Sequence, residues 1–293
     1  MRNKSSGYKI FTVFNYLFLI IISLLAILPL IYIFSVSFSS SEAVMAGKVG
    51  LFPVDFTLES YKYILKTDTF TNAFFVSVKR VVLGTGLSVF LTILLAYPLS
   101  KDNKEFRFRT VYVWFFVITM LFTGGLVPTY LTVRATGLID TIWALVIPGA
   151  VDTFLVVILL NFFRNIPKEL SEVASLDGAG PWTILWKIYL PISLPCIATV
   201  TLFTIVLHWN SYFDGLIYLN NPLNYPLATY LQTLIVSPDV SKLNPETIKL
   251  LSVISNRTTS AAQIFIAMIP VLIVYPFLQR FFTTGLTLGS VKG

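Results

Sequence analysis

The feature that most limits how this chain can fold is a series of long apolar stretches with almost no charge. The first, residues 10–34, lies inside a segment that has no Asp, Glu, Lys or Arg before Glu42. A helix that crosses the lipid core needs about 20 mostly apolar residues. Five further stretches reach or approach that length: residues 70–99, 110–133, 142–163, 195–213 and 261–282. The sequence therefore predicts an all-α integral membrane protein with six transmembrane helices in a single transmembrane domain, residues 1–293.

The composition supports a membrane protein and argues against other classes. Hydrophobic residues make up 56% of the chain and charged residues 12%, whereas soluble domains carry about 25% charged residues. A single cysteine, Cys196, excludes an internal disulfide and a cysteine-rich metal site. The net charge of +7 does not indicate a nucleic-acid partner, because the basic residues lie between apolar stretches and not along one polar face.

The distribution of Lys and Arg predicts the orientation of the helices. Segments 1–9 and 101–109 are short and rich in basic residues, and such segments stay on the cytoplasmic side of a membrane. Both termini are then expected in the cytoplasm. Residues 39–69 and 214–260 become long outer segments, and residues 164–194 become the one long inner loop.

The inner loop has the sequence pattern of two short helices joined by a tight turn. Residues 169–176 favour a helix, and Gly178 is suited to the left-handed turn at its C-terminal end. Pro181 is tolerated at the first position of a second helix. The small side chains at Ala174, Gly178 and Ala179 permit another surface to approach closely.

This loop resembles the EAA motif of permease subunits of bacterial ABC importers. The residues that match the motif in register are Glu172, Ala174, Gly178, Ile188, Leu190 and Pro191. Val173 departs from the pattern, because the motif has the slightly smaller alanine at this position. Together with Trp209-Asn210 and the glycine-rich C-terminal tail, the whole chain is most similar to the second permease of the carbohydrate-uptake family, of the maltose and multiple-sugar type.

The resemblance implies a fold, a set of partners and a function. The fold is that of a type I importer permease in the bacterial cytoplasmic membrane. The partners are a second homologous permease subunit, two ATPase subunits, an extracellular solute-binding protein and an oligosaccharide substrate. The inner-loop residues expected to couple to the ATPase are Glu169, Glu172, Ala174, Asp177, Gly178 and Ala179. For the tail residues Leu288, Gly289 and Ser290, an ATPase contact and a disordered end both remain open.

The sequence lacks the motifs of an ATPase or of another enzyme. No phosphate-binding loop of the form G-x-x-x-x-G-K-[ST] occurs, so no cofactor is predicted on this chain, and ATP with Mg²⁺ is assigned to the ATPase subunits. An ion-driven secondary transporter is the alternative function. Such a transporter typically contains internal repeats and acidic residues at mid-membrane, whereas this sequence has only one acid of that kind.

Five residues are candidates for the sugar path. Asp152 is the one acid well inside an apolar stretch, and it follows Pro148-Gly149; it either lines the path or is hydrogen-bonded to a helix. Trp209, Asn210, Tyr212 and Phe213 combine aromatic rings with polar groups, as sugar sites do. Aromatic residues are also enriched where helices meet the membrane surface, so interface anchoring is equally consistent with them.

Three other polar residues within the apolar stretches have simpler interpretations. Lys79 and Arg80 lie towards the outer end of the second stretch, where long basic side chains reach the membrane surface; neutralising an acidic sugar is the alternative. His208 stands beside Trp209, and a hydrogen-bonded packing role is predicted for it over a catalytic or metal-binding one.

Overall fold

The computed structural model describes residues 6–236 and 256–289, and all regular structure in those residues is helical. The helices are α1 (Ser6–Ser37), α2 (Ser41–Met45), α3 (Glu59–Lys66), α4 (Asp68–Ser100), α5 (Arg109–Leu121), α6 (Leu126–Ala135), α7 (Ile142–Val146), α8 (Thr153–Arg164), α9 (Lys168–Leu176), α10 (Pro181–Ile184), α11 (Leu190–Ile192), α12 (Leu194–Asn210), α13 (Phe213–Tyr218), α14 (Leu227–Val236) and α15 (Asn256–Gly289). A π-helical segment, Leu185–Tyr189, joins α10 to α11, and a short 3₁₀ turn covers Pro222–Asn224. The predicted all-α membrane fold is confirmed.

Three helices are long and apolar enough to cross a membrane unbroken within the described residues. They are α1, α4 and the first part of α15. Two further candidates are pairs of helices joined at a sharp bend: the helix direction changes by 116° between α5 and α6, and by 82° between the helical run Pro181–Ile192 and α12. The fourth predicted stretch contains α7 and the 12-residue α8, separated by six residues. The number of spans, six, stays a prediction.

The breaks occur where the sequence places residues that interrupt a helix. Between α5 and α6, Gly125 adopts φ +83°, a left-handed backbone that favours glycine. Between α7 and α8, Pro148-Gly149 interrupts the apolar stretch, and Asp152 caps α8 by accepting from the backbone N–H groups of Phe154 (2.8 Å) and Leu155 (3.4 Å). Apolarity alone predicted continuous helices across both breaks.

The packing divides the chain into two units: Met1–Thr71 with Thr233–Ile269, and Asn72–Gln232 with Pro270–Gly293. In the first unit, serine hydroxyls in the last turn of α1 and just after it form hydrogen bonds with backbone groups of the segment between α2 and α3. Ser35 Oγ donates to the carbonyl of Leu51 at 2.7 Å, and Ser39 Oγ accepts from the N–H of Val54 at 3.0 Å. Nearby, the ring of Phe38 stacks on that of Phe56 with the ring centres 5.5 Å apart, so the segment between α2 and α3 packs against the end of α1.

The second unit has its main apolar core on the inner-loop side. Buried residues of α4, α8, the π segment and α12 meet there, among them Ala96, Leu159, Leu185 and Val200. Ala96 and Leu159 are completely buried. Small side chains such as alanine let helix backbones approach closely, which stabilises helix pairs in lipid. This core carries the inner loop on its surface.

Candidate functional site

The inner loop forms the predicted helix–turn–helix. Helix α9 ends at Leu176, and Gly178 follows with φ +81°. The N–H of Gly178 donates to Ser175 O at 3.0 Å, and that of Ala179 to Ala174 O at 2.9 Å. This pair of bonds is a Schellman motif, which closes a helix end by a left-handed residue. The predictions of a left-handed Gly178 and of a second helix beginning at Pro181 are confirmed.

The predicted coupling residues of the inner loop differ in their burial. The small residues Ala174 and Ala179 are half-buried and pack against the core of this chain. Glu169, Glu172 and Asp177 are exposed.

Three apolar residues of α9 are also exposed. Leu170, Val173 and Leu176 are 43%, 59% and 88% exposed. Residues three apart are neighbours on a helix surface, so these side chains form an exposed apolar face along α9. Sequence reasoning missed these three residues, although their spacing could have indicated them.

The segment after α4 lies alongside the inner loop. Asp102 forms an ion pair with Lys168, the first residue of α9. The hydrogen bond and the charge of Lys168 lower the pKa of Asp102, and the same pair raises the pKa of Lys168. A cavity of about 790 Å³ is lined by residues of both this segment and α9, among them Lys101, Glu105 and Glu172.

The predicted sugar-path residues on α12 lie at a break in the chain. Helix α12 ends at Asn210, and α13 begins at Phe213. Trp209 is buried, with its ring edge-on to Phe74 at 5.9 Å. Asn210 is exposed, and Tyr212 and Phe213 are 42% and 53% exposed. Asn210, Tyr212 and Phe213 are thus on the accessible surface of the chain, whereas Trp209 is packed inside.

A buried arginine organises this break. Arg80, only 2% exposed, forms an ion pair with Asp214 of α13 and donates to the carbonyl of Ser211 at 3.0 Å. It also reaches the carbonyl of Leu145 at 3.5 Å. Both interpretations of Arg80 from the sequence are wrong, because its guanidinium is neither at a surface nor open to a sugar. Lys79 beside it is exposed.

The other two polar candidates inside the apolar stretches have local partners. Asp152 is half-buried and caps its own helix α8, as described above, so its bonded oxygen is committed to the backbone. His208 is buried and its ring lies against Gly84 of α4. The packing role predicted for His208 is confirmed.

The predicted segment 214–260 is joined, near its start, to the loop between α6 and α7. Asp140 has φ +62°, and its carboxylate accepts from the N–H groups of Asn220 (3.0 Å) and Asn221 (3.4 Å). Residues 237–255 of this segment lie outside the described residues. So does Ser290 of the predicted tail contact; Leu288 and Gly289 belong to the last turn of α15.

Comparison with known proteins gives full-length matches. The protein-family model described as "Binding-protein-dependent transport system inner membrane component" matches residues 1–287. The polygalacturonan/rhamnogalacturonan transport system permease protein YtcP of Bacillus subtilis is 40% identical over 97% of this chain and 99% of that protein. Protein LplC of the same organism is 39% identical over 100% of this chain and 98% of that protein. A chain in the crystal structure of a bacterial ABC transporter for the acidic polysaccharide alginate is 34% identical, with a TM-score of 0.89, covering 96% of this chain and 100% of that chain.

Proposed function

This chain belongs to the family of binding-protein-dependent transport system inner membrane components, and from that premise we propose that it is one of two permease subunits of an ATP-driven importer for acidic oligosaccharides. The family resemblance carried by the inner-loop motif is thereby confirmed, and the protein is a membrane transport component. An ion-driven secondary transporter is not supported by this membership. The observation that carries the proposal is the exposed apolar face of α9 beside a Schellman turn at Gly178.

The proposed coupling begins at that face. Leu170, Val173 and Leu176 enter a cleft of an ATPase subunit, and Glu169 and Glu172 meet polar groups at its rim. Only three residues separate α8 from α9. Because this connection is short, a displacement of α9 also displaces α8 in the membrane. Packed elements of this kind move between discrete arrangements and do not bend continuously. Closure of two ATPase subunits would then switch the sugar path between inward- and outward-facing states.

The proposed assembly follows from what this chain lacks and what it exposes. It contains no phosphate-binding loop, so ATP and Mg²⁺ are assigned to two separate ATPase subunits and no catalytic role to this one. An extracellular binding protein delivers the sugar, which the family description supports. A second, homologous permease completes the path. Both termini are proposed to be cytoplasmic, with the segment after α13 on the outer side.

The proposed cargo is an oligosaccharide that carries carboxylates. Support comes from YtcP, named for polygalacturonan and rhamnogalacturonan, and from the structure of an importer of the acidic polysaccharide alginate. Within this chain, Asn210, Tyr212 and Phe213 are proposed to contact the sugar, with Trp209 behind them and Asp152 further along the path.

The coupling assignment is tested by Gly178→Val in the complete complex reconstituted into vesicles. A β-branched residue at φ +81° is strained by about 1–2 kcal/mol, so the turn should distort and ATP-driven uptake should fall while insertion persists. Gly180→Val is the matched control, because Gly180 has φ −74° and extended backbone. Equal uptake by both variants would contradict the assignment.

ATPase binding is tested separately by charge reversal. Glu172→Lys should reduce the amount of ATPase that co-purifies, whereas Glu59→Lys, at the first turn of α3 on the proposed outer side, should not. Wild-type co-purification by Glu172→Lys would count against a contact at this face.

Cargo and orientation have their own measurements. Uptake of a labelled oligogalacturonate should be inhibited by other uronate oligomers and not by neutral malto-oligosaccharides; the reverse preference would refute an acidic cargo. Cysteines introduced at Lys104 and Asn221, in a Cys196→Ser background, should react with impermeant reagents from opposite faces of the membrane. Labelling of both from one face would refute the orientation.

A further inference from the structure

Three aromatic rings connect both arms of the inner loop to the end of α4. Phe163 is the last but one residue of α8, before the loop, and Tyr189 is the last residue of the π segment after it. Their rings are 5.4 Å apart, edge to face. The ring of Tyr97 on α4 lies 5.1 Å from Tyr189 and 6.4 Å from Phe163. Phe163 and Tyr189 are almost fully buried, so the loop is fixed to α4 at its base.

Lys101, the first residue after α4, closes this aromatic cluster. Its Nζ donates a hydrogen bond to Tyr189 Oη at 3.1 Å. The same atom lies 5.0 Å from the ring centre of Tyr97 and 4.7 Å from that of Tyr189, within the range of cation–π attraction. The carboxylate oxygen Oε2 of Glu105, four residues later, lies 3.6 Å from Lys101 Nζ. One ammonium group therefore holds rings that belong to two different parts of the chain.

The Lys101 contact is better suited to transmit force than the neighbouring ion pair. Asp102 and Lys168 are 58% and 63% exposed, and exposed ion pairs contribute little. The side chain of Lys101 is only 14% exposed, and shielding from water strengthens cation–π and hydrogen-bond contacts. Burial acts to lower the pKa of Lys101, but the hydrogen bond to Tyr189 and the nearby rings and Glu105 outweigh it and raise the pKa. The ammonium form persists.

We propose that Lys101 is a positioning residue of the transport cycle, which makes α4 move together with the inner loop by tying Tyr97 on α4 to Tyr189 in the π segment of that loop. This inference rests on the proposed function, since it assigns the route by which motion at α9 reaches a membrane helix. The π segment that ends at Tyr189 fits this role, because π-helical turns are frequent at functional sites. Loss of the Lys101 contact lets the inner loop, which includes α9, move without α4, so ATP hydrolysis continues with less transport.

The test measures the labelled oligogalacturonate taken up per ATP hydrolysed by the full complex in vesicles. Lys101→Met keeps the length of the side chain and removes its charge, and should lower this ratio about tenfold, equivalent to about 1.4 kcal/mol, with ATPase co-purification unchanged. Lys101→Arg retains a cation over the rings and should restore most of the ratio. Lys104→Met, an exposed lysine of the same segment, is the matched control and should leave it unchanged.

A second variant tests the same contact from its other side. Tyr189→Phe keeps the buried ring and removes the hydroxyl, so a smaller decrease is expected. The double variant with Lys101→Met should be no worse than Lys101→Met alone, because both remove one shared interaction. If Lys101→Met reduces the yield of complex, Tyr189→Phe and Lys101→Arg provide the comparison.

Two results would overturn the inference. One is a wild-type ratio in both Lys101→Met and Tyr189→Phe. The other is an equal decrease in Lys104→Met, which would indicate a general charge effect. Failure of the proposed function looks different: the wild-type complex itself would show no ATP-dependent uptake.

Discussion

Replacing Arg80 by methionine tests whether a buried ion pair fixes the turn between α12 and α13. The guanidinium of Arg80 pairs with Asp214 and also donates to the backbone carbonyls of Ser211 and Leu145. Methionine fills a similar volume without charge. The adjacent Lys79 is exposed on the same helix, so Lys79→Met removes one positive charge without breaking these contacts.

The expected loss can be estimated from the burial of the two partners. Removing one partner of a buried ion pair costs about 3–5 kcal/mol, because the other charge is left uncompensated. Arg80 is 2% exposed but Asp214 is 23% exposed, so water can partly solvate the remaining carboxylate. The loss for Arg80→Met is therefore expected near the lower end, about 3 kcal/mol, or roughly a hundredfold in the unfolding equilibrium constant. Arg80→Met combined with Asp214→Leu should recover most of it, since no charge is then left buried.

The free energy of unfolding can be measured by titrating SDS into dodecyl maltoside micelles and following helicity by circular dichroism. Lys79→Met should lie within about 0.5 kcal/mol of the wild type, as surface substitutions do. If Arg80→Met is as stable as Lys79→Met, or if the double variant is less stable than Arg80→Met, the ion pair does not stabilise this turn.

Two further predictions concern α4 and the segment after it. A Cβ at Gly84 would lie 2.5–2.7 Å from ring atoms of His208, whereas a Cβ at Gly86 would meet nothing within 4 Å. In the same assay, Gly84→Ala should lower the free energy of unfolding by about 1–3 kcal/mol, and Gly86→Ala should raise it by about 0.5–1 kcal/mol. Equal effects would refute the contact. The lowered pKa of Asp102 and the raised pKa of Lys168 keep both residues charged at neutral pH. The contribution of the carboxylate to stability is present above its unfolded-state pKa and is lost as the pH falls through the lowered pKa. The contribution of the ammonium is lost only as the pH rises through the raised pKa. Transport by wild type and Asp102→Asn should therefore change in parallel between about pH 6 and 8, and profiles that diverge there would contradict these pKa shifts.

The local pattern of the sequence was sufficient for the membrane class and for the inner loop. Hydropathy sums over about 20 consecutive residues, so α1, α4 and α15 could be predicted without knowing what they pack against. The turn at Gly178 depends on bonds to residues within five positions along the chain, and the need for a left-handed residue is visible in the sequence itself. For the same reason the helix beginning at Pro181 was predictable.

Tertiary structure decided which polar groups meet. Arg80 and Asp214 are 134 residues apart in the sequence, and Lys101 and Tyr189 are 88 apart. Each of these basic residues had several possible partners, and lipid, water and protein all offer a place for a long side chain. The choice depends on which backbone carbonyls, rings and carboxylates the packed helices bring within about 3–5 Å. That geometry is set by helix breaks and crossings, which hydropathy does not encode, and so the contacts that hold the α12–α13 turn and the base of the inner loop appear only in the folded chain.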